Sequence, residues 1–566
     1  MLGGDPIKRW AVPASARARF GPAAWRDARI ADQVLVVVAL MAVVASAILV
    51  ARNGLNGPWY DEYATLWFSD PAIDIAGLYR DRWSQETNPP LFYWLVRSAL
   101  SLADFDIFEL RLANVAGFAL SVGYLLFRAW RMPFLRPFIG CVLTIYITNE
   151  EVNRNVLLLR SYSLQESTGL VLCFLIAALI YKQEKLARAD LLVLFISIFV
   201  LMNTHFMSAL FCGLLVVIAI LYLRLAGRRR QAGVLACVLL ASAVPAGIFV
   251  LASYAALLER SRHFWITTTP TEAVIMMARV GTTFFSGNLA LVGLLGLAAV
   301  FSGWPRHAAA ADAAPPGRAG AAGLVLGLAV AGFFAVLFAV NARTPIVILR
   351  YLAVTGPALM VGAGVLVAPL LRRWPVLLLP VLGNGLVVMA LHPYGPAHPG
   401  DYPAIAAIAG LRSACPDASV YGLWREDGMG GIFVTAYRYI SDHYGMPMQV
   451  RQAGQPWTPP ANPACPTVLW NEYMWGPSFP RSAAEFAADF HLRLDPATLA
   501  RADFRPFPAS GNVLLILPAV DAAPDRGMGA PPWPVPAPPS SSSPPAPAAG
   551  SAPGHPSSSS PSPDGR

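Results

Sequence analysis

The chain has 566 residues, of which 56% are hydrophobic and 13% charged, with a mean hydropathy of +0.51. That is more apolar sequence than a soluble globule buries, so a soluble protein is excluded in favour of a polytopic membrane protein. The net charge of +9 and pI near 9.3 do not point to nucleic acid, because the basic residues sit in short clusters between apolar runs and leave no single footprint.

In chain order, a basic segment at 1–32 (Lys8, Arg9, Arg17, Arg19, Arg26, Arg29) precedes an uncharged run at 33–51, about long enough for a span at ~20 residues. The polar leader is too long for a cleaved signal peptide, so the run reads as a first span with a cytoplasmic N-terminus. Further apolar runs fall at about 110–130, 138–149, 165–182, 190–206, 207–224, 232–254, 285–303, 321–341, 346–371 and 374–391, giving about eleven transmembrane helices over 33–391. Basic connectors (Arg128, Arg131 and Arg136; Lys182, Lys185 and Arg188; Arg224 and 228–230; Arg306 and Arg318; Arg372 and Arg373) all fall on the side of the N-terminus. In a cytoplasmic (inner) membrane, the extracytoplasmic face then receives 52–109, 149–164, 255–284, 341–350 and everything after about 392.

Four cysteines (Cys141, Cys173, Cys212, Cys237) lie in apolar runs and read as small buried hydrophobes without metal-ligand spacing. Cys415 and Cys465 lie in the region placed outside the cytoplasm, where a disulfide between them is the hypothesis to test. From 392 to 519, strand-like runs at 419–424, 467–470 and 512–517 alternate with helical patterns at 402–413, 431–444 and 482–492, which predicts a small extracytoplasmic α/β domain. The Pro/Ala/Ser-rich segment 520–566 reads as a disordered tail.

The chemistry concentrates in the loop 52–109. Asn56-Gly-Pro-Trp-Tyr-Asp-Glu-Tyr63 places two adjacent carboxylates, Asp61 and Glu62, at a membrane surface among interfacial aromatics, and Asn88-Pro-Pro-Leu91 and Arg111-Leu112 follow. Leu159-Arg-Ser-Tyr162, Thr204-His-Phe206, Phe264-Trp-Ile266 and Arg350-Tyr351 lie on the same face or at its margin.

These seven elements, in this order, resemble GT-C glycosyltransferases of the protein O-mannosyltransferase and lipid A aminoarabinose transferase type, in a family 39-like branch, over about residues 30–390. The resemblance implies a GT-C membrane fold and transfer of a sugar from a polyprenyl-phosphate carrier to a hydroxyl of a cell-envelope acceptor. It implies Asp61 as the base that takes the acceptor proton, with Glu62 positioning the acceptor or supporting Asp61. Arg160 and Arg350, with Tyr162 and Tyr351 beside them and Arg82 in the first loop, become candidates for the donor phosphate. Asn88, Trp83, His205 and Arg111 become candidates for substrate contact. The chain departs from the pattern at Asn88, where relatives often carry His, and at Leu158, where they often carry an acid; Glu150, Glu151 and Glu166 lie nearby but not at that position. A divalent metal is possible, but no spacing demands one.

Other readings stay open for several of these residues. Arginines at span ends also serve as snorkelling anchors, His205 could be a packing histidine, and Arg80, Arg82 and Trp83 could cover an amphipathic juxtamembrane helix. In the C-terminal region, Trp424-Arg-Glu-Asp427, His443 and Trp470-Asn-Glu472 could bind sugar or polypeptide, or the domain could simply pack on the membrane part and shield it. The rival functions are a transporter or lipid-linked oligosaccharide flippase, which favours ionisable groups at span centres, and a non-catalytic membrane scaffold.

Overall fold

A computed structural model describes residues 22–520, apart from 87, 183–186, 263–267, 286–287, 303–316, 392–399, 426–429, 454–455 and 473–478. The expectations for 1–21, Phe264-Trp-Ile266, Glu426, Asp427 and the segment from 521 onward lie outside the described residues.

Each expected apolar run falls on helical structure. Among the described residues seven helices are long and apolar enough to cross a membrane: Ile30–Asn53, Ile107–Arg131, Tyr162–Tyr181, Phe206–Leu225, Arg229–Ala252, Arg318–Asn341 and Leu349–Arg373. Shorter apolar helices, Pro133–Thr148, Arg188–Thr204, Leu289–Val300 and Pro375–Leu391, take the remaining runs. The chain is a multi-pass helical membrane protein. Its helices enclose one extended core, and side chains such as Val36, Val43, Leu120 and Leu240 point outward, as lipid solvation allows.

The two ends of this bundle differ in chemistry. At one end the basic connectors meet: Arg128 donates to Asp190, Arg228 Nη1 to the Leu179 carbonyl at 2.7 Å, and Arg372 Nη1 to the Tyr181 hydroxyl at 2.6 Å. At the other end lie the short helices Tyr60–Phe68, Ile75–Asp81 and Leu91–Leu100, which organise what reads in the sequence as a loop. The stretch expected as a loop at 255–284 likewise forms helices Tyr254–Arg262 and Pro270–Phe285. Local signals set these boundaries: Asp106 and Glu109 form a reciprocal capping box, and His205 caps Phe206–Leu225 by accepting from the Met207 N–H at 3.1 Å.

The C-terminal region contains a five-stranded sheet: β1 (Ser419–Arg425), β2 (Gln449–Ala453), β3 (Thr467–Asn471), β4 (Asp503–Phe507) and β5 (Asn512–Leu517), in the order β2-β1-β3-β5-β4. β1 pairs in parallel with β2 and β3, whereas β5 pairs antiparallel with β3 and β4. Strand alternation divides its side chains between two cores. Tyr421, Leu423, Leu469, Val513 and Leu515 pack on Phe486 and Phe490, while Val420, Val468, Trp470 and Leu514 face helix Gly430–His443 and, beyond it, Tyr63, Phe68 and Phe92. The sheet region and the short helices of the first loop thus share one hydrophobic core. Cys415 and Cys465 are joined in a disulfide with a Cα–Cα separation of 5.8 Å.

Candidate active site

Helix Tyr60–Phe68 sets the geometry. Successive helical residues point about 100° apart, so Asp61, Glu62 and Tyr63 project in three directions and meet three different environments.

Glu62 points inward and is fully buried. Arg111, near the start of Ile107–Arg131 and equally buried, grips it through Nε–Oε1 at 2.7 Å and Nη2–Oε2 at 2.5 Å, and the Leu159 N–H adds a bond to Oε1 at 2.6 Å. The remaining Arg111 N–H groups donate to the carbonyls of Asn53 at 3.1 Å, Asn56 at 2.8 Å and Gly57 at 3.2 Å. All five guanidinium donors are therefore taken up within the protein. In place of the substrate contact expected for it, Arg111 holds Glu62 and the turn that precedes the helix.

Asp61 points the other way and keeps some exposure. Arg350 Nη1 donates to its Oδ2 at 2.6 Å, with the two side chains 25% and 14% exposed. Arg160 Nη1 donates to the Asp61 carbonyl at 3.0 Å and lies 3.4 Å from Thr65 Oγ1, which itself donates to the Asp61 and Leu159 carbonyls. Aromatic groups complete the cluster: Tyr162 lies 6.0 Å from the Arg160 guanidinium, Tyr351 lies 5.9 Å from that of Arg350, and His205 sits between the two tyrosines at ring distances of 6.0 and 5.1 Å. Six residues separated by up to 290 positions in sequence, namely Asp61, Arg160, Tyr162, His205, Arg350 and Tyr351, come together at one end of the bundle. The nearby Glu86 and Tyr93 both act electrostatically on Arg160.

Other candidates have internal partners instead. Arg82 donates to the Trp67 carbonyl and to Asp70 Oδ2 at 3.2 Å, and lies over the Trp67 ring at 5.0 Å. Trp83 is buried, its indole N–H donating to the Phe68 carbonyl at 2.7 Å, so both residues anchor the end of helix Tyr60–Phe68. Asn88 is buried and donates to Glu86 at 2.7 Å. Of the neighbouring acids, Glu151 pairs with Arg154 at 2.6 Å and Glu166 accepts from Asn155 at 3.0 Å. Among the described residues no group of three or more His, Cys, Asp or Glu side chains is placed to hold a metal. In the C-terminal region Trp470 lies in the core, its indole donating to Asn512 at 2.7 Å, and is thereby removed from a sugar-binding surface. His443 lies 3.8 Å from Asp106.

Tyr63, expected as an interfacial aromatic, is fully buried, and the motif reading did not single out Asp401 or Asn512. Asp401 is buried and accepts from Tyr63 and from Asn512, each at 2.8 Å. Burial pushes its carboxyl up to about 7 and that of neighbouring Glu472 well above the usual carboxylate range.

No family model matches the chain, and no curated protein matches it. Among solved structures it is similar to ArnT from Cupriavidus metallidurans bound to undecaprenyl phosphate and to the same protein in the apo state. In both, 86% of this chain and 98% of that one are covered at 14% identity, with a TM-score of 0.46.

Proposed function

We propose that the protein is an integral membrane glycosyltransferase of the GT-C type that moves one sugar from a polyprenyl-phosphate carrier to a hydroxyl of a cell-envelope acceptor, at the extracytoplasmic face of the cytoplasmic membrane. The observation that carries the reading is the convergence of a carboxylate, Asp61, with two arginines, Arg160 and Arg350, at the end of the bundle opposite the basic connectors. A lipid-linked donor keeps its tail in the bilayer, so its phosphate reaches protein only at such an end. By the positive-inside rule the opposite, basic end is the cytoplasmic one.

In the reaction, Asp61 takes the proton of the acceptor hydroxyl as its oxygen bonds to the anomeric carbon. The bond from that carbon to the phosphate oxygen breaks, its electron pair stays on the lipid phosphate, and Arg160 and Arg350 neutralise the charge. The Asp61–Arg350 ion pair gives this sequence an order: a donor phosphate competes for Arg350 and frees Asp61 Oδ2 for the acceptor. Tyr162, Tyr351 and His205 stand beside the same two arginines. Glu62, held by Arg111, fixes the helix beneath Asp61.

The test is sugar transfer from a panel of radiolabelled polyprenyl-phosphate sugars, undecaprenyl-linked donors first, to envelope fractions, comparing wild type with Asp61→Asn. Loss of transfer in a variant that still folds is expected. Unchanged transfer removes Asp61 as the base, and no transfer by the wild type with any donor turns the reading toward transport or scaffolding.

A further inference from the structure

The third direction on helix Tyr60–Phe68 belongs to Tyr63, and it leads to the C-terminal region. Tyr63 is fully buried, and its hydroxyl donates to Asp401 Oδ2 at 2.8 Å. The other oxygen of Asp401 accepts from Asn512 Nδ2 at 2.8 Å. The orientation of that amide is set by a third group, because Asn512 Oδ1 accepts from the Trp470 indole at 2.7 Å. The chain Trp470–Asn512–Asp401–Tyr63 thus runs from β3 and β5 of the sheet to the residue two positions from Asp61.

The backbone around Asp401 supports the same junction. Gly400 has φ +48°, and a Cβ there would come within 2.3 Å of the Pro58 carbonyl oxygen, so only glycine permits this approach. The Asp401 N–H donates to that carbonyl at 3.0 Å, and the Tyr402 hydroxyl donates to the Gly54 carbonyl at 2.7 Å. The turn at 53–58 is therefore held from the bundle by Arg111 and from the C-terminal region by 400–402. Ring contacts between Tyr60 and Phe433 at 5.4 Å, and between Tyr63 and Tyr439 at 5.8 Å, extend the contact along helix Gly430–His443.

We infer that Asp401 is a positioning residue for sugar transfer: through the Tyr63 hydroxyl it locks the helix that carries Asp61 to the C-terminal sheet, as Arg111 locks it to the bundle through Glu62. The inference rests on the transferase reading above for its kinetic consequence, but not for its structural one. A helix of nine residues has little stability of its own, and its orientation comes from its anchors. With Glu62 and Tyr63 both fixed by buried partners, the remaining direction, that of Asp61, is fixed as well. The C-terminal region is then part of the machinery that aims the base, a role beyond that of a cover over the site.

In this geometry Asp401 accepts on both oxygens. In Asp401→Asn one side-chain atom becomes an NH2 group; if its oxygen still faces Tyr63, the NH2 faces the Asn512 NH2, which cannot turn without abandoning the Trp470 indole. Tyr63→Phe is the milder perturbation, because it keeps the ring and its packing and removes only the hydroxyl.

The experiment measures full-length Tyr63→Phe, Asp401→Asn and the double variant in two ways: hydrogen exchange of the amides in 60–68, and kcat and KM for the donor, with Asp61→Asn as reference. Each single variant should speed exchange in that helix by about tenfold and lower kcat by about tenfold to a hundredfold, with donor KM changed by less than about twofold. The double variant should be no worse than the stronger single one, since both substitutions act on the same Tyr63–Asp401 bond. Wild-type exchange and kcat in Tyr63→Phe overturn the inference, and that variant decides the matter if Asp401→Asn does not fold. Transfer retained by Asp61→Asn overturns the transferase assignment alone, and the exchange arm then decides on the anchor.

Discussion

Replacing Arg111 with Met tests the fixed frame behind the site. The side chain is of similar length and apolar, but five donor contacts vanish, and Glu62 keeps only the Leu159 N–H at 2.6 Å. Both partners are 0% exposed, so solvent cannot rescue the stranded carboxylate. Breaking a buried ion pair from one side costs ~3–5 kcal/mol, a large share of the ~5–15 kcal/mol typical of a folded domain. The carbonyls of Asn53, Asn56 and Gly57 lose a donor too, so the upper half of that range is expected. Removing the charge from both sides is milder: Arg111→Met with Glu62→Gln should recover about 1–3 kcal/mol of the single-variant loss, the signature of coupling in a double-mutant cycle. The assay is unfolding in detergent followed by tryptophan fluorescence, with the single and double variants run beside wild type. Arg111→Met within about 0.5 kcal/mol of wild type, or a double variant whose loss equals the sum of the two singles, would refute the pair as an anchor.

Three more outcomes follow from the C-terminal region. Cys415 and Cys465 close a loop with a sequence separation of 50, so Cys415→Ser with Cys465→Ser should lower its stability by at most about 4 kcal/mol, read by chemical denaturation without reductant. The Asp401 carboxyl is raised in the folded state, mainly by burial and also by Glu62, against the bonds from Asn512 and Tyr63, with Glu472 as a further neighbour. The folded state therefore binds the proton more tightly than the unfolded chain: the contribution is full below the ordinary value of 3.8 and is lost as pH rises toward about 7, so stability should decline across that window and Asp401→Asn should flatten the decline. Glu472 is buried with neither carboxyl oxygen hydrogen-bonded among the described residues, so Glu472→Met should raise the unfolding midpoint, by an amount equivalent to ~1–3 kcal/mol; a lower midpoint would mean that the carboxyl has a stabilising role.

The bundle was legible because a span announces itself in about 20 consecutive residues. The three inner strands were legible for a similar reason: β3 and β5 are apolar in their middle positions (468–470 and 513–517) and buried at every position. The edge strands were not, since Gln449–Ala453 is mostly exposed and Asp503–Phe507 carries a proline, as edges commonly do. Asp401 was hidden by a local decoy. It stands at the N-cap position of helix Tyr402–Ala414, yet its side chain makes no capping bond and reaches Tyr63 and Asn512 instead.

The Asp61-Glu62 pair shows where reading a motif stops. Adjacency in sequence suggests two acids sharing one task, and helical geometry separates them at once. Asp61 meets Arg350 across 289 residues in a partly exposed cluster, while Glu62 meets Arg111 in the dry interior. The next residue, Tyr63, has a partner 338 positions away. None of these pairings follows from local pattern, because each depends on which helix end the fold brings alongside. Burial then divides the labour on physical grounds: a carboxylate with both oxygens engaged by arginine is a structural anchor, and one with a single displaceable partner near solvent is available for proton transfer. A nine-residue helix held along two of its directions leaves only the third for chemistry, and on that argument Asp61, rather than Glu62, is the residue whose replacement should abolish transfer while leaving the fold intact.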